Sequence, residues 1–453
     1  MILKDRITSI LNIPFIRNTF KLSASTVIMI GLSILVTPIL TRLYTPEDYG
    51  IWGMLSSTSM ILTSILFLSY ENAIIQTDDE EEVPTLITLC ILCAIAVVAF
   101  SVIVFLIGKL IGIHFFETFP PLSYLIVILL ASFVNNLLLI IANRYALYNS
   151  MSIASITEGC SQALIRILLR TAVKSRGGLI WGNVLSLLIA ASVLGAKIRT
   201  YYTQERKRFI SFVGIKKLIK KYKKYPLFDA PARLIEFTIG NIVILILSAY
   251  FDKGDIGCYS LLSQIMILPI TLVGTAMSRV SFRELSESIN DQEKFSILAN
   301  RLIRICVFLS CLPIVFFVIG GDYLLVWILG DGWQNAGKMS LCLALFSVPV
   351  ILSEPLQPIF KVFNKQNIRF TLNVIGLSIM VLAIFAGIIL SHNIYVVLTL
   401  FSISYGLIRL VLFYYEVKIM GTSIHINKRM IILIVLLYIL LIIRLYFMFS
   451  TNI

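Results

Sequence analysis

The sequence predicts an all-α polytopic membrane protein, with about 12 core transmembrane helices in two six-helix bundles and a thirteenth C-terminal segment. Its 453 residues are 58% hydrophobic and only 14% charged, and the mean hydropathy is +0.93. Apolar segments of roughly 20 residues, the length that crosses a bilayer, recur along the chain. One long basic stretch separates six of them from the next six. This composition excludes a conventional soluble enzyme, an acidic disordered protein and a secreted disulfide scaffold.

Twelve segments are long and apolar enough to be predicted as spans, and a thirteenth follows near the C-terminus. Arg444 near the far end of the thirteenth leaves two interpretations open, a span or a helix lying in the membrane plane. The predicted segments are 20–41, 51–75, 84–111, 122–147, 152–173, 178–197, 230–251, 257–281, 297–319, 337–361, 370–390, 394–417 and 431–449.

The distribution of basic residues predicts the orientation. With the N-terminus in the cytoplasm, 27 of the 38 Lys and Arg residues lie on the cytoplasmic side and six on the other. Such an imbalance favours a multi-pass protein with a cytoplasmic N-terminus over the inverse orientation. The formal charge of +14 is therefore a topology signal, and we expect no nucleic-acid partner. The six residues are Arg42, Lys109, Lys174, Arg176, Lys253 and Lys338.

The basic stretch also predicts the domain boundaries. These are a first bundle at 1–198, a basic amphipathic linker at 199–229, a second bundle at 230–418 and an extra segment at 419–453. Apolar and lysine residues alternate in the linker at helical spacing, which is typical of a helix lying on an anionic inner leaflet. A site for a polyanion or a partner protein is the alternative.

A weak internal repeat supports this division. At an offset of 207 residues, Asp48 aligns with Asp255 and Gly50 aligns with Gly257. Because each half has six spans, both halves have the same orientation, as in transporters built from parallel repeats.

The fifth span carries the clearest candidate site. Glu158, Gln162, Arg166, Arg170 and Lys174 recur every four residues and so share one helical face. Ionisable groups inside a span are costly, and their presence indicates either a water-filled cavity or internal ion pairs. For a cationic cavity, Arg166 and Arg170 are the leading ligands, because a guanidinium suits pyrophosphate. The alternative is an internal pair such as Glu158 with Arg166.

Two further arginines are predicted to bind substrate. Arg233 lies near the start of the seventh span, where Glu236 on the same face could instead neutralise it. Arg409 lies inside the twelfth span, four residues after Tyr405.

Four residues are candidates for gating or coupling. In the repeat, Glu71 of the second span corresponds within one residue to Arg279 of the eighth, which suggests a gate formed by these opposite charges. Glu354 and Lys361 lie in the tenth span, where three prolines predict a kinked helix.

We find no signal for catalysis, a cofactor or a metal. The pair Cys90 and Cys93 has metal-like spacing but lies in an apolar run, where packing is the better interpretation. The three histidines fall in or near loops, and no nucleophilic triad or phosphate loop is present in the sequence. The prediction is a non-enzyme with no catalytic residue.

Four motifs carry a family resemblance that extends over nearly the whole chain. They are Arg42–Gly50, Tyr70–Ile74, Tyr225–Phe228 with Pro231, and Leu329–Trp333. With them the chain resembles Wzx-type O-antigen and polysaccharide-unit flippases, a polysaccharide transporter family of the multidrug/oligosaccharidyl-lipid/polysaccharide exporter (MOP) superfamily. The segment 431–449 departs from the twelve-span plan of that family.

The resemblance implies transport by alternating access of two six-helix bundles. The implied cargo is an undecaprenyl-pyrophosphate-linked oligosaccharide for lipopolysaccharide, capsule or exopolysaccharide. Implied partners are membrane lipids, a polysaccharide polymerase and a chain-length regulator.

Two other functions remain open. A multidrug or cation antiporter of the same superfamily would use intramembrane carboxylates such as Glu71, Glu158 and Glu354. A polysaccharide polymerase would need a large external loop or a catalytic carboxylate cluster. The longest predicted external segment, 320–336, offers only Asp322 and Asp331.

Overall fold

The computed structural model describes residues 14–205, 212, 214–266, 291–363, 365–421 and 428–450. Throughout this part of the chain the secondary structure is helical, and no strand occurs in it. In the apolar interior of a bilayer a helix satisfies all its backbone hydrogen bonds internally, which explains this preference.

Contacts divide the chain into two compact units, Met1–Ala249 and Tyr250–Ile453. The arrangement of the spans as two six-helix bundles, joined by a linker at 199–229, remains a prediction. The helices of the first unit are α1 (Pro14–Leu43), α2 (Pro46–Ser64), α3 (Glu71–Gln76), α4 (Glu82–Leu110), α5 (His114–Thr118), α6 (Leu122–Arg144), α7 (Tyr148–Thr171), α8 (Gly178–Glu205), α9 (Ile215–Lys221) and α10 (Ala230–Ser248).

The second unit begins with a helix, α11, that is described over 253–266. Short 3₁₀ turns precede and follow α14. The remaining helices are α12 (Gln292–Ile319), α13 (Gly321–Leu329), α14 (Gln334–Ser353), α15 (Ile359–Val362), α16 (Gln366–Ser391), α17 (Ile394–Met420) and α18 (Lys428–Ser450).

Within the described residues, nine helices are long and apolar enough to cross a membrane, which makes this a multi-pass membrane protein. The helix α7 is not among them, because polar side chains interrupt its apolar sequence. The count of twelve or thirteen spans remains a prediction. The nine are Glu82–Leu110, Leu122–Arg144, Gly178–Thr200, Tyr225–Ser248, Glu293–Ile319, Asp331–Leu356, Gln366–Ser391, Ile394–Met420 and Ile432–Ser450.

Two of the predicted spans are interrupted. The segment 51–75 forms α2 and α3, joined by a turn in which Leu68 and Ser69 have positive φ angles of 48° and 62°. The segment 337–361 contains α14, a 3₁₀ turn at Glu354–Leu356 and α15. Proline accounts for the second interruption, since Pro355 and Pro358 lack the N–H that a continuous helix requires. No comparable sequence signal predicts the interruption between α2 and α3.

The helix α18 is anchored to the second unit. The Tyr438 hydroxyl donates a hydrogen bond to the Leu345 carbonyl oxygen at 2.8 Å. Arg444 donates to the Phe317 carbonyl oxygen at the end of α12 and lies 3.0 Å from an Asp322 carboxylate oxygen. Arg444 therefore satisfies carbonyl groups at the end of a neighbouring helix.

Candidate cationic site

The helix α7 carries the predicted polar stripe and packs against α1 and α8. A glycine of α8 permits a close approach between α7 and α8. A Cβ on Gly182 would lie 2.4 Å from the Arg166 Cγ, so a larger residue would displace that side chain. The backbone therefore makes room for an arginine inside a helical bundle.

Within α7, Arg166 is the cation of this stripe that pairs with no carboxylate of the described residues. Its guanidinium carbon lies 5.1 Å from the centroid of the Trp52 ring on α2, a cation–π contact. Within the described residues no carboxylate lies within 4 Å of it, and its buried Nε has no hydrogen-bond partner. The residue as a whole is only partly buried.

Arg170, one turn further on, has several protein partners. Its Nε donates to the Leu43 carbonyl oxygen at 2.7 Å, and a terminal nitrogen lies 3.7 Å from an Asp48 carboxylate oxygen. Its guanidinium carbon also lies 5.2 Å from the Tyr44 ring centroid. These contacts fasten α7 to the turn between α1 and α2.

That turn is the Arg42–Gly50 motif, and hydrogen bonds made by its residues fix its geometry. Thr45 caps α2, and the side chains of Thr45 and Asp48 each accept a hydrogen bond from the other's backbone N–H, a capping box. The Tyr44 hydroxyl donates to the Arg166 carbonyl oxygen at 2.7 Å. The motif thus positions α7 and both of its arginines.

We expect Arg170→Ala to lower the free energy of unfolding by about 1–3 kcal/mol, because the Leu43 carbonyl would lose its charged donor. Arg170→Lys should recover only part of this, since one ammonium cannot replace the planar fork. Thermal unfolding of the purified variants measures the effect. The exposed Arg176→Ala is the matched control and should unfold like the unmodified protein. Equal stability of the Arg170→Ala variant would contradict the fastening role.

Glu158 and Gln162 complete the stripe. Both are partly buried, and neither side chain forms a hydrogen bond or ion pair with another described residue. The alternative of a Glu158–Arg166 ion pair is not formed. Within α7 the stripe therefore offers one cation without a described carboxylate partner and two uncommitted polar groups along a single face.

Arg233 and Glu71 contact each other. An Arg233 nitrogen on α10 bonds a Glu71 carboxylate oxygen at the start of α3. The second Glu71 oxygen is buried and has no partner among the described residues. Arg233 thus pairs with Glu71 and not with Glu236. Arg279, the predicted partner of Glu71, lies outside the described residues.

In the second unit, Arg409 also has protein partners. It donates to a Glu354 carboxylate oxygen at 2.9 Å and to the Tyr405 hydroxyl at 2.7 Å. Gln357 donates to the same Glu354 oxygen at 2.6 Å. The ion pair leaves Arg409 less available for an anion than Arg166. The side chain of Lys361 lies outside the described part.

Glu354 also lines a cavity of about 470 Å³ within the second unit. The other lining side chains are mostly apolar and come from α11, α12, α13 and α14. Such a space suits a hydrocarbon chain better than a glycan.

Two residues of these sites escaped the sequence analysis. Trp52 gives no signal of its own in the sequence. Glu416 is 0% exposed, and neither of its carboxylate oxygens has a hydrogen-bond partner in the described residues. The sequence contains one signal for Glu416. It lies seven residues after Arg409, which places both on one face of α17.

No cluster of three His, Cys, Asp or Glu side chains suitable for a metal occurs among the described residues. Cys90 and Cys93 are buried free thiols within the apolar core of the first unit.

Comparison with known proteins gives a family and a fold. Residues 39–338 match the model of a family described as "Polysaccharide biosynthesis protein". A search of curated proteins found no match.

Two solved structures each reach a TM-score of 0.67. One is an inward-facing multidrug resistance MATE family transporter of the MOP superfamily, 12% identical, covering 86% of this chain and 94% of its own. The other is the lipid II flippase MurJ in an inward closed conformation, 14% identical, covering 95% and 99%. At these identities the likeness shows the fold alone. The chain therefore belongs to the polysaccharide biosynthesis protein family and has the fold of MOP-superfamily transporters.

Proposed function

We propose that this protein is a flippase that moves undecaprenyl-pyrophosphate-linked oligosaccharide units across the bacterial inner membrane by alternating access. The units would serve O-antigen, capsule or exopolysaccharide assembly. The observation that carries the proposal is Arg166, a cation of the predicted fifth span that contacts the Trp52 ring and lacks a carboxylate partner in the described chain. A positive charge of this kind is costly without a ligand or water, and is well suited to a passing anion.

The spacing along α7 suggests how one cargo could use several residues. Arg166 would bind the pyrophosphate through parallel hydrogen bonds. Gln162 and Glu158 lie four and eight residues away, about 6 Å and about 12 Å along the helix. These distances place them within reach of sugar hydroxyls joined to the same pyrophosphate. Arg170 would act indirectly, by holding the turn that supports Arg166.

The family and the distribution of basic residues support the proposed direction of transport and the expected partners. Loading would occur from the cytoplasmic side, where we place the N-terminus and most basic residues. A polymerase and a chain-length regulator are the expected partners on the opposite side. No covalent step is required, because the cargo only changes leaflet.

Deletion of the gene tests the function. We expect loss of surface polymer, with single lipid-linked units accumulating on the cytoplasmic face of the inner membrane. Face-selective labelling of these intermediates distinguishes the outcomes. Units that reach the periplasmic face unpolymerised would indicate a polymerase instead.

A multidrug or cation antiporter remains the second candidate. The uncommitted carboxylates Glu158 and Glu416 favour it, because antiporters need intramembrane acids. Unchanged glycans with altered drug accumulation in the deletion strain would establish this alternative.

A further inference from the structure

The short helix α9 lies outside the predicted spans, and protein contacts fix its orientation. Leu218 is 4% exposed and belongs to the apolar core that includes the start of α4. The Lys221 Nζ lies 2.7 Å from both carboxylate oxygens of Glu82, and the Tyr222 hydroxyl donates to one of them at 2.9 Å. The hydrogen bond to Glu82 raises the pKa of Lys221 above its usual value. One face of the helix is therefore committed to the protein.

Away from these contacts, α9 and the residues directly after it present a basic surface, the lysine face. Its five lysines, three on α9 and two after its end, are exposed, and none of them forms an ion pair with a described residue. Next along the chain, Leu227 and Phe228 are 61% and 70% exposed, just before α10 begins. The five lysines are Lys216, Lys217, Lys220, Lys223 and Lys224.

We propose that this lysine face binds the phosphate groups of anionic lipids in the adjacent leaflet. Lysine clusters directly beside a span are attracted to anionic headgroups. The exposed Leu227 and Phe228 sit where a span starts, so they can enter the interface while the lysines meet the headgroups. A soluble polyanion would account for the lysines but not for the neighbouring apolar side chains.

The contacts that hold α9 to the protein also affect the free energy of lipid binding. Because Leu218 and Lys221 hold the helix, the five lysines are displayed without further ordering, which lowers the entropic cost of binding. Headgroup binding would in turn hold the segment from which α10 starts. Transport should therefore increase when anionic lipid is present.

The test compares two triple variants of the full chain with equal loss of charge. One is Lys216→Gln, Lys217→Gln and Lys220→Gln, on the lysine face. The control is Lys109→Gln, Arg176→Gln and Lys253→Gln, three exposed cations predicted on the opposite side. Retention of phosphatidylglycerol is measured by native mass spectrometry, and correct folding by gel filtration and thermal unfolding.

We expect the first variant to retain phosphatidylglycerol at least about tenfold more weakly, on a scale of roughly fivefold per lysine. The control should retain it like the unmodified protein. Equal retention by all three proteins, or equal loss in both variants, would overturn the proposal. Displacement of the lipid by inorganic pyrophosphate at equal phosphate concentration would assign the face to a soluble anion, and would also overturn it.

Discussion

Arg166→Ala should reduce delivery of lipid-linked units by about 100-fold, because the proposed pyrophosphate ligand loses its charged, bidentate donor. A lost charged contact of about 2–3 kcal/mol corresponds to this order of change. Arg166→Lys should retain part of the transport, since the charge remains while the planar fork is lost. Surface polymer in a deletion strain that expresses each variant at equal abundance gives the measurement.

The matched controls for Arg166 come from the same region of the chain. Arg176→Ala removes an exposed arginine and should leave transport unchanged. Thermal unfolding of Arg166→Ala should change less than that of Arg170→Ala, because no described carboxylate or carbonyl accepts from the Arg166 guanidinium. Full transport by Arg166→Ala would rule this residue out as the cargo ligand.

The second large effect is expected in the second unit. Arg409→Ala should destabilise the protein by about 3 kcal/mol, because Glu354 would lose its cation and the buried Glu416 would lose the positive side chain on its own helix face. Chemical denaturation in detergent, followed by loss of helical circular dichroism, measures this.

A double variant separates a structural role of Arg409 from cargo binding. Replacing the pair together, as Arg409→Met with Glu354→Gln, removes both charges and should restore most of the stability lost in Arg409→Ala. If transport returns with stability, Arg409 acts through the ion pair. If stability returns while transport does not, the predicted role of Arg409 in cargo binding gains support. An Arg409→Ala variant as stable as the unmodified protein would contradict the structural account.

Much of the fold was predictable from sequence because bilayer crossing imposes a simple length and polarity requirement. The apolar segments at 84–111, 122–147 and 394–417 correspond closely to α4, α6 and α17. The interruption after α2 was not predictable in this way. Leu68 and Ser69 adopt left-handed backbone angles that their residue types do not favour.

The candidate site was predictable in part for a similar reason. A four-residue repeat within one helix reveals which residues share a face, and so it identified the stripe on α7. It says nothing about partners on other helices. Arg170 meets Leu43 at a separation of 127 residues, and Arg233 meets Glu71 at 162. Contacts across such distances decide which arginine is committed to the protein and which is left for a ligand.

Translocation in proteoliposomes tests the central claim most directly. The purified protein would be reconstituted with a lipid-linked pyrophosphate oligosaccharide, and its appearance on the opposite leaflet followed by an enzyme that modifies only exposed glycan. We predict rapid translocation by the unmodified protein and loss of it in Arg166→Ala, with Arg176→Ala unaffected. Translocation by Arg166→Ala at the full rate, or none by the unmodified protein, would contradict the account.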